Sequence, residues 1–568
     1  MKPTTVDFTR VAATIGRGRR PFLEVASFTA AMWLAMVPRA MSGPQEIAVL
    51  VVNNEFTPMW KDAHIRVFDR ANALAQIEEN GTLKFWSTDH FGKYRGNNSF
   101  RGQFYVVSSD GKIESTGFAS YRDKKAFDQY VQDAVDRRLA NMPEGIFPTV
   151  ETNGDIKTIR TPPYVFPDNP QLKSLGGEAH LRYVDGIVVS RREKAGFAKL
   201  KAAPMRQAAR LAKLAKGKMW YVLFRPQVVP AANRSAALSV VAGAANVGLQ
   251  RRDSESSSSY EDRRLISDTQ LQLLKSLAFD VLEFHASTEW PSEADEPFTL
   301  SAELIAKKGS RLSKLISQLR TSNSVQSEGG NLGWLKIAFK VPSELRPVAW
   351  ATVRRLVSTG DMIGLKEATE RGDILLSARL DKDRDGISLV AQSPIALKAE
   401  DINALARRFA LQDDLEGQAS LRLNDVDLAM LRYRSTMIDD SLSFGLSSGN
   451  DLPSLDQPLR INKVNASQPL LELSLDLKPL VANKDNDWLA KFLRSVEKVY
   501  TRRLSPQNPL DEMLGRPHKD LDSLLHFAKP DGDWTLSAKL QASRNKLTLR
   551  IRVGADLHAF WRVRQQLR

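Results

Sequence analysis

The heptapeptide WTLSAKL at Trp534–Leu540 has a near-copy, FTLSAEL, at Phe298–Leu304. A second pair follows the first: FKVPSELRPVAW (Phe339–Trp350) aligns with IRVGADLHAFW (Ile551–Trp561). In both copies a basic residue and Val close a strand. A small or rigid residue, an acid and a Leu then open a helix carrying Trp. One strand-to-helix unit is thus used twice, with about 210 residues between copies, and self-similarity of this kind points to a duplicated body. Each copy mixes hairpins with helices. The expected fold class is therefore α+β: an N-terminal α/β domain followed by two related α+β repeats of antiparallel sheets with helices packed on one face.

At 568 residues the chain is too long for one core and divides into several parts. Residues 1–43 read as an export signal or anchor, 44–140 as the α/β domain, 141–175 as a linker, 176–358 as the first repeat and 359–568 as the second. In the α/β domain, EIAVLVVN (Glu46–Asn53) is a continuous apolar run suited to a central strand. A helix from Pro58 to Glu78 follows, then a hairpin turning at Asp110-Gly111 and a helix over Lys124–Leu139. This order of elements resembles a thioredoxin-like layout, and without cysteine the resemblance implies a scaffold only. The linker is rich in Pro, Asn, Asp and Thr and has no period.

The first repeat opens with a hairpin turning at Asp185-Gly186, and the second with one turning at Asp385-Gly386. Low-complexity Asp253–Arg264 reads as a surface loop ahead of a helix over Ile266–Leu277. Helices are expected at Glu400–Phe409, Trp488–Tyr500 and Lys519–Phe527 in the second repeat. Its closing strands, Trp534–Leu540 and Lys546–Val553, should pair through an Arg544-Asn545 turn.

The net charge of +15 suggests nucleic acid until it is located. Residues 1–40 hold six basic and two acidic groups, 191–219 hold ten and one, and 541–568 hold seven and one, which leaves the rest of the chain mildly acidic. There are no cysteines, which excludes disulfides, thiolate catalysis and cysteine-ligated metal centres.

At the N-terminus, Arg17, Arg19 and Arg20 precede VASFTAAMWLAMV (Val25–Val37), an apolar run short for a membrane span of ~20 residues and suited to a signal-peptide core. The junction Gly18–Glu24 resembles the twin-arginine export signal, with Arg19, Arg20, Phe22 and Leu23 on matching positions. Glu24 departs from the usual Lys, and Pro38-Arg39-Ala40 departs from a small-residue cleavage site. The resemblance covers residues 17–40 and implies a periplasmic or extracellular protein. Retention of residues 25–37 would instead anchor it to the membrane. No other stretch is apolar enough to span a bilayer, so no membrane span is expected in the mature body.

Candidate chemistry is sparse. In DKDRDG, Asp381, Asp383 and Asp385 alternate ahead of Gly386, a spacing that wraps a hard cation such as calcium. Gln392 stands at the twelfth position, where a calcium loop needs Glu, and a solvated hairpin turn accounts for the same residues. GLSSG (Gly445–Gly449) matches a nucleophile elbow around Ser447, yet the proline-containing segment after it does not read as a helix. Seven histidines (His64, His90, His180, His285, His518, His526 and His558) show no metal-hydrolase spacing, and Asp89-His90 beside Trp86 reads as surface loop. There is no phosphate-binding glycine loop and no dinucleotide fingerprint, so no catalytic residue and no cofactor are assigned beyond the calcium candidate. The basic stretch with Arg191, Arg192, Lys194, Lys199, Lys201, Arg206, Arg210, Lys213 and Lys216 suits an anionic partner. Few aromatics interleave with it, which disfavours nucleic acid. The expected protein is exported, bacterial and non-catalytic, a binding or scaffolding protein on a duplicated α+β body. The alternatives are a hydrolase-type enzyme with an inter-domain site and a cytoplasmic nucleic-acid binder.

Overall fold

The computed structural model describes residues 45–53, 100–107, 113–140, 147–191, 209–289, 297–394, 416–482 and 531–557, apart from short breaks within these spans. The first strands are β1 (Gln45–Asn53), β2 (Phe100–Val107) and β3 (Ile113–Ser120), followed by α1 (Lys124–Ala140). Next come β4 (Thr149–Asn153), β5 (Ile156–Thr161), β6 (Tyr164–Phe166), β7 (Asn169–Ser174), β8 (Gly177–Val184), β9 (Ile187–Arg191) and β10 (Lys218–Phe224). Two helices, α2 (Ala231–Gly248) and α3 (Ser257–Asp280), lead to β11 (Val281–Glu289), β12 (Phe298–Ala306), α4 (Arg311–Gln318), β13 (Asn323–Gln326), β14 (Gly333–Lys340) and α5 (Arg346–Val357). The rest is β15 (Asp373–Lys382), β16 (Ile387–Ser393), β17 (Glu416–Leu423), β18 (Val426–Ile438), β19 (Ser441–Ser447), β20 (Arg460–Lys463), β21 (Pro469–Asp476), α6 (Lys478–Ala482), β22 (Thr535–Ser543) and β23 (Lys546–Val553).

Nineteen of these strands form one ladder. Its spatial order is β4-β5-β8-β9-β3-β2-β1-β10-β11-β12-β23-β22-β21-β14-β15-β16-β19-β18-β17, and every neighbour is antiparallel. β6–β7 and β13–β20 are separate two-stranded ribbons. The protein is thus a mainly antiparallel sheet with several helices, an α+β arrangement.

Period-two alternation sorts the side chains onto two faces. On one face, α1 packs Phe127 and Val131 with Val188 of β9, while α2 and α3 enclose Ala237 and Ala278 with Ala48, Tyr105 and Phe224. On the same face α4 sets Leu312 and Ile316 against Leu304, Leu540 and Leu547. The four helices share a side because successive registers, such as Phe224↔Phe284, Phe284↔Leu304 and Leu304↔Leu547, carry one apolar row across the strands. The opposite face is covered at the β1–β2–β3–β9 end by the short helical turn 209–214, whose Leu211 packs on Val49, Val51, Phe104 and Leu223. Further along, the β13–β20 ribbon covers Ala338 and Leu375 through Val325 and Leu459.

Several expectations change. Glu46–Asn53 is central, but both of its neighbours are antiparallel, so it does not form a parallel α/β unit and the thioredoxin-like βαβ layout does not apply. Residues 141–175 are not a plain linker: they contain β4 to β7, and the β4–β5 hairpin turns at Gly154, where φ is +63°. β-branched Val150, Thr152, Ile156, Thr158 and Ile159 carry that hairpin, and the polar composition hid them. The serine run is not a loop, because Ser256 accepts a hydrogen bond from Ser259 N–H at 3.2 Å and caps α3. The Asp185-Gly186 turn is as expected, with φ positive at both residues, and so is the β22–β23 hairpin through Arg544-Asn545. The Asp385-Gly386 turn and the helices expected at Pro58–Glu78, Glu400–Phe409, Trp488–Tyr500 and Lys519–Phe527 lie outside the described residues.

The similar strands β12 and β22 flank β23 on either side and run in the same direction. Their continuations differ. β22 turns straight into β23, whereas β12 leads through α4 and β13 to β14, which lies on the far side of β21. The strand-to-helix junctions do match. Val341 follows β14 into a 3-10 turn at Ser343–Leu345, and Gly554 follows β23 into helical residues 555–557. Gly554 is required there, since a Cβ would stand 2.3 Å from the Asp533 carbonyl oxygen.

Helices α3 and α5 are joined by one buried charge. Asp262, 3% exposed, receives Arg354 Nε at 2.7 Å and a second contact from Nη2. Removing one partner strands a buried carboxylate, which costs more than the pair contributes. Arg354 is partly solvent-accessible, so Arg354→Met should destabilise by about 2–4 kcal/mol, at or below the usual range for breaking a buried pair. In urea unfolding, Asp262→Leu combined with Arg354→Met should regain most of that loss.

Candidate functional site

Between the 209–214 turn and the β13–β20 ribbon, the sheet face without α1 to α4 forms a polar trough of about 670 Å³. Its floor is a consequence of register. Glu289, Thr299, Arg552, Ser537, Ser474 and Trp334 are successive cross-strand partners from β11 to β14. Two residues further along the strands, Ser287, Ser301, Arg550, Lys539, Glu472 and Lys336 form a parallel row. The alternate positions (Leu300, Leu549, Leu540, Leu473) face the side that carries the helices. The two similar heptapeptides therefore supply the strands on both sides of the arginines.

Charge in the trough is unevenly satisfied. Lys539 Nζ stands 3.8 Å from Glu472 Oε1, a loose exposed pair. Lys336 Nζ sits 4.6 Å from the Trp334 ring centroid. Arg550 and Arg552 are exposed, two residues apart on the central strand, and have no hydrogen-bond or ion-pair partner among the described residues. Side chains at i and i+2 of a strand share a face about 6.8 Å apart, so both guanidinium groups reach one ligand. A guanidinium keeps its charge at any ordinary pH and presents a planar fork to carboxylate or phosphate. Such groups hold an anion and do not shuttle protons.

Beside the trough lies a network whose charges are already spent. Arg225 donates from Nη1 to Glu46 at 2.8 Å and from Nε to Glu283 at 2.9 Å. Glu46 also receives Arg210, at 2.6 and 3.1 Å. Glu283 Oε2 lies 2.9 Å from His285 Nε2, and His285 Nδ1 lies 3.1 Å from the Tyr221 hydroxyl. With Nε2–H donating to Glu283, Nδ1 is left to accept from Tyr221. The hydrogen bond from Arg225, opposed by burial, holds the Glu283 carboxyl below its usual range, and burial pushes the Tyr221 hydroxyl up.

The residues singled out in the sequence are dispersed. Asp381 Oδ1 accepts from Asn331 N–H at 2.8 Å and Oδ2 faces Arg379 at 3.5 Å, so both oxygens are engaged; Asp383 and Asp385 lie outside the described residues. No cluster of metal-ligating side chains occurs among the described residues. Ser447 ends β19, its side chain buried and its backbone paired with Ser388 and Arg432, and no helix follows it among the described residues up to 457, unlike the strand–turn–helix of a nucleophile elbow. His180 is buried against Thr158 at 2.9 Å, and His64, His90, His518, His526 and His558 lie outside the described residues. Of the basic stretch, Arg191 ends β9, Arg210 is bound to Glu46, and Lys213 and Lys216 are exposed; the others named above lie outside the described residues. No helix among the described residues is long and apolar enough to cross a membrane. Arg550 and Arg552 escaped notice singly, although the alternation KLTLRIRV places both on one face of a strand.

No protein-family model, no curated protein and no solved structure matches this chain. The class it defines is an α+β protein, a mainly antiparallel sheet with several helices, with a basic-centred trough on the face opposite α1 to α4.

Glu283 supports a pH prediction. Its folded-state pKa lies below the ordinary 4.5, so its contribution to stability is present above that value and is lost as pH falls through the folded-state pKa. Glu283→Gln should lower the urea midpoint at neutral pH, with the gap to wild type narrowing well below pH 4.5. A gap of constant size across that range would assign the effect to packing instead.

Proposed function

We propose that the chain is an exported, non-catalytic binding protein that holds an anionic ligand in the trough, on a body in which one strand-to-helix unit has been duplicated. The observation that carries this reading is the pair of exposed guanidinium groups of Arg550 and Arg552, without partners among the described residues, on the central strand of a concave polar floor. The adjacent Arg210 and Arg225 have carboxylate partners, so among the described residues the lack of one at Arg550 and Arg552 is local to the trough. Duplication is supported by the two similar heptapeptides flanking β23 and by the matching junctions after Lys340 and Arg552. Export is supported by Arg19, Arg20, Phe22 and Leu23 ahead of the apolar run at 25–37.

Thermal unfolding across a panel of phosphate, citrate, an acidic oligosaccharide and a short oligonucleotide tests the binding reading, because a ligand that binds only the folded state raises the melting temperature. At least one anion should stabilise the wild-type protein and leave Arg550→Gln/Arg552→Gln unmoved. Each lost charge-assisted contact should weaken binding roughly tenfold or more. Equal responses from the two proteins would remove the trough as the site.

Fractionation of the host with intact-mass analysis tests export. A shortened protein outside the cytoplasm, retained inside by Arg19→Lys/Arg20→Lys, is expected. A full-length cytoplasmic protein would sink the export reading.

A further inference from the structure

The mixed charge of the trough narrows its ligand. Arg550, Arg552 and Lys539 face Glu289 and Glu472 across the same floor, and Lys539 is already close to Glu472. A polyanion laid along it would gain two guanidinium contacts but would pass two carboxylates, one of which, Glu289, has no partner among the described residues. Nucleic-acid grooves instead combine uniformly basic walls with stacking aromatics. The floor here needs a ligand that offers both an anionic group and hydrogen-bond donors.

The two rows supply the complementary parts. Fixed guanidinium forks take a carboxylate bidentately. Carboxylate oxygens accept only, so Glu289 calls for hydroxyl or amide donors. Thr299, Ser537 and Ser474 both donate and accept, which suits a polyhydroxylated partner. Trp334, whose ring has Lys336 Nζ at 4.6 Å on one side, closes the trough lining with an aromatic surface whose other side suits an apolar ring face. Neighbouring strands lie about 4.8 Å apart, so the arginine row stands between the acceptor at Glu289 and the ring at Trp334, about 10 Å from the first and about 14 Å from the second. The cleft volume of about 670 Å³ falls within the range of small-molecule sites.

From this juxtaposition we propose that the trough binds a short acidic saccharide, with its carboxylate on Arg550 and Arg552, its hydroxyls on Glu289 and the Ser/Thr row, and a sugar ring against Trp334. This rests on the reading of the trough as an anion site and deepens it by naming the ligand class.

Glu289 separates a saccharide from a simple anion, because the two predict opposite signs. If Glu289 accepts sugar hydroxyls, Glu289→Gln weakens binding. If the ligand is merely an anion, loss of the nearby negative charge strengthens it. The experiment is calorimetric titration of the full chain with trigalacturonic acid, neutral galactotriose, inorganic phosphate and a short single-stranded oligonucleotide. Trigalacturonic acid should bind at least roughly tenfold more tightly than galactotriose, and Arg552→Gln should remove most of that preference. Glu289→Gln should weaken trigalacturonic acid severalfold while leaving phosphate unchanged or tighter. Tighter trigalacturonic acid binding by Glu289→Gln would overturn the saccharide assignment and leave the anion site standing. So would a preference for phosphate, or for an oligonucleotide whose affinity falls steeply with salt. If none of the four binds in a manner dependent on Arg550 and Arg552, both readings fall.

Discussion

An antiparallel ladder satisfies backbone hydrogen bonds between neighbours and also sends successive side chains to opposite faces, and in this protein those two consequences extend across nineteen strands. A one-residue slip at any pairing would exchange the faces of a whole strand. The apolar row that runs from Phe224 through Phe284 and Leu304 to Leu547 therefore holds the register of the two polar rows, three and five residues along the same strands on the other face. The helices packed on the first face stabilise the register. The trough on the second face inherits its geometry from it.

This explains why the two faces carry such different chemistry. Where the second face is covered, by the 209–214 turn, it is apolar at Val49, Phe104 and Leu223 and its nearby charges are paired off through Glu46, Arg225 and Glu283. Where it is open, the same strand periodicity delivers hydroxyls, two carboxylates and two arginines without partners among the described residues. An arginine paired with a carboxylate is a structural strut. One left exposed between hydroxyl rows, on a strand held by neighbours on both sides, has its backbone placed in advance and its guanidinium available to a ligand.

Local signals were legible wherever backbone conformation depends on a few residues. Asp185-Gly186 was legible because tight two-residue turns need positive φ, which Asp and Gly tolerate, whereas in the Arg544-Asn545 turn the positive φ falls on Arg544. The central position of Glu46–Asn53 followed from its continuous apolar run. Composition misled in two places. Pro, Asn and Asp masked the β-branched strands around Gly154, and a serine run that looked like low-complexity loop begins a helix because Ser256 caps it. The candidate site was legible only as an excess of basic residues near the C-terminus. The charge count does not distinguish Arg210, which is consumed by Glu46 164 residues away, from Arg552, which is consumed by nothing in the described protein.

By itself the sequence determined the mixed strand-and-helix character, the main hairpins, the similarity of Phe298–Leu304 to Trp534–Leu540, and the exclusion of thiol chemistry, because each depends on residue type or short-range spacing. Only the tertiary structure decided that those two similar strands stand on either side of β23, and that Glu289, Thr299, Arg552, Ser537, Ser474 and Trp334 form one row. Those six residues are drawn from positions 289 to 552, and no local propensity encodes which distant strand becomes a neighbour. That choice is made by burying one apolar face of every strand at once, and the polar row is the other side of the same choice.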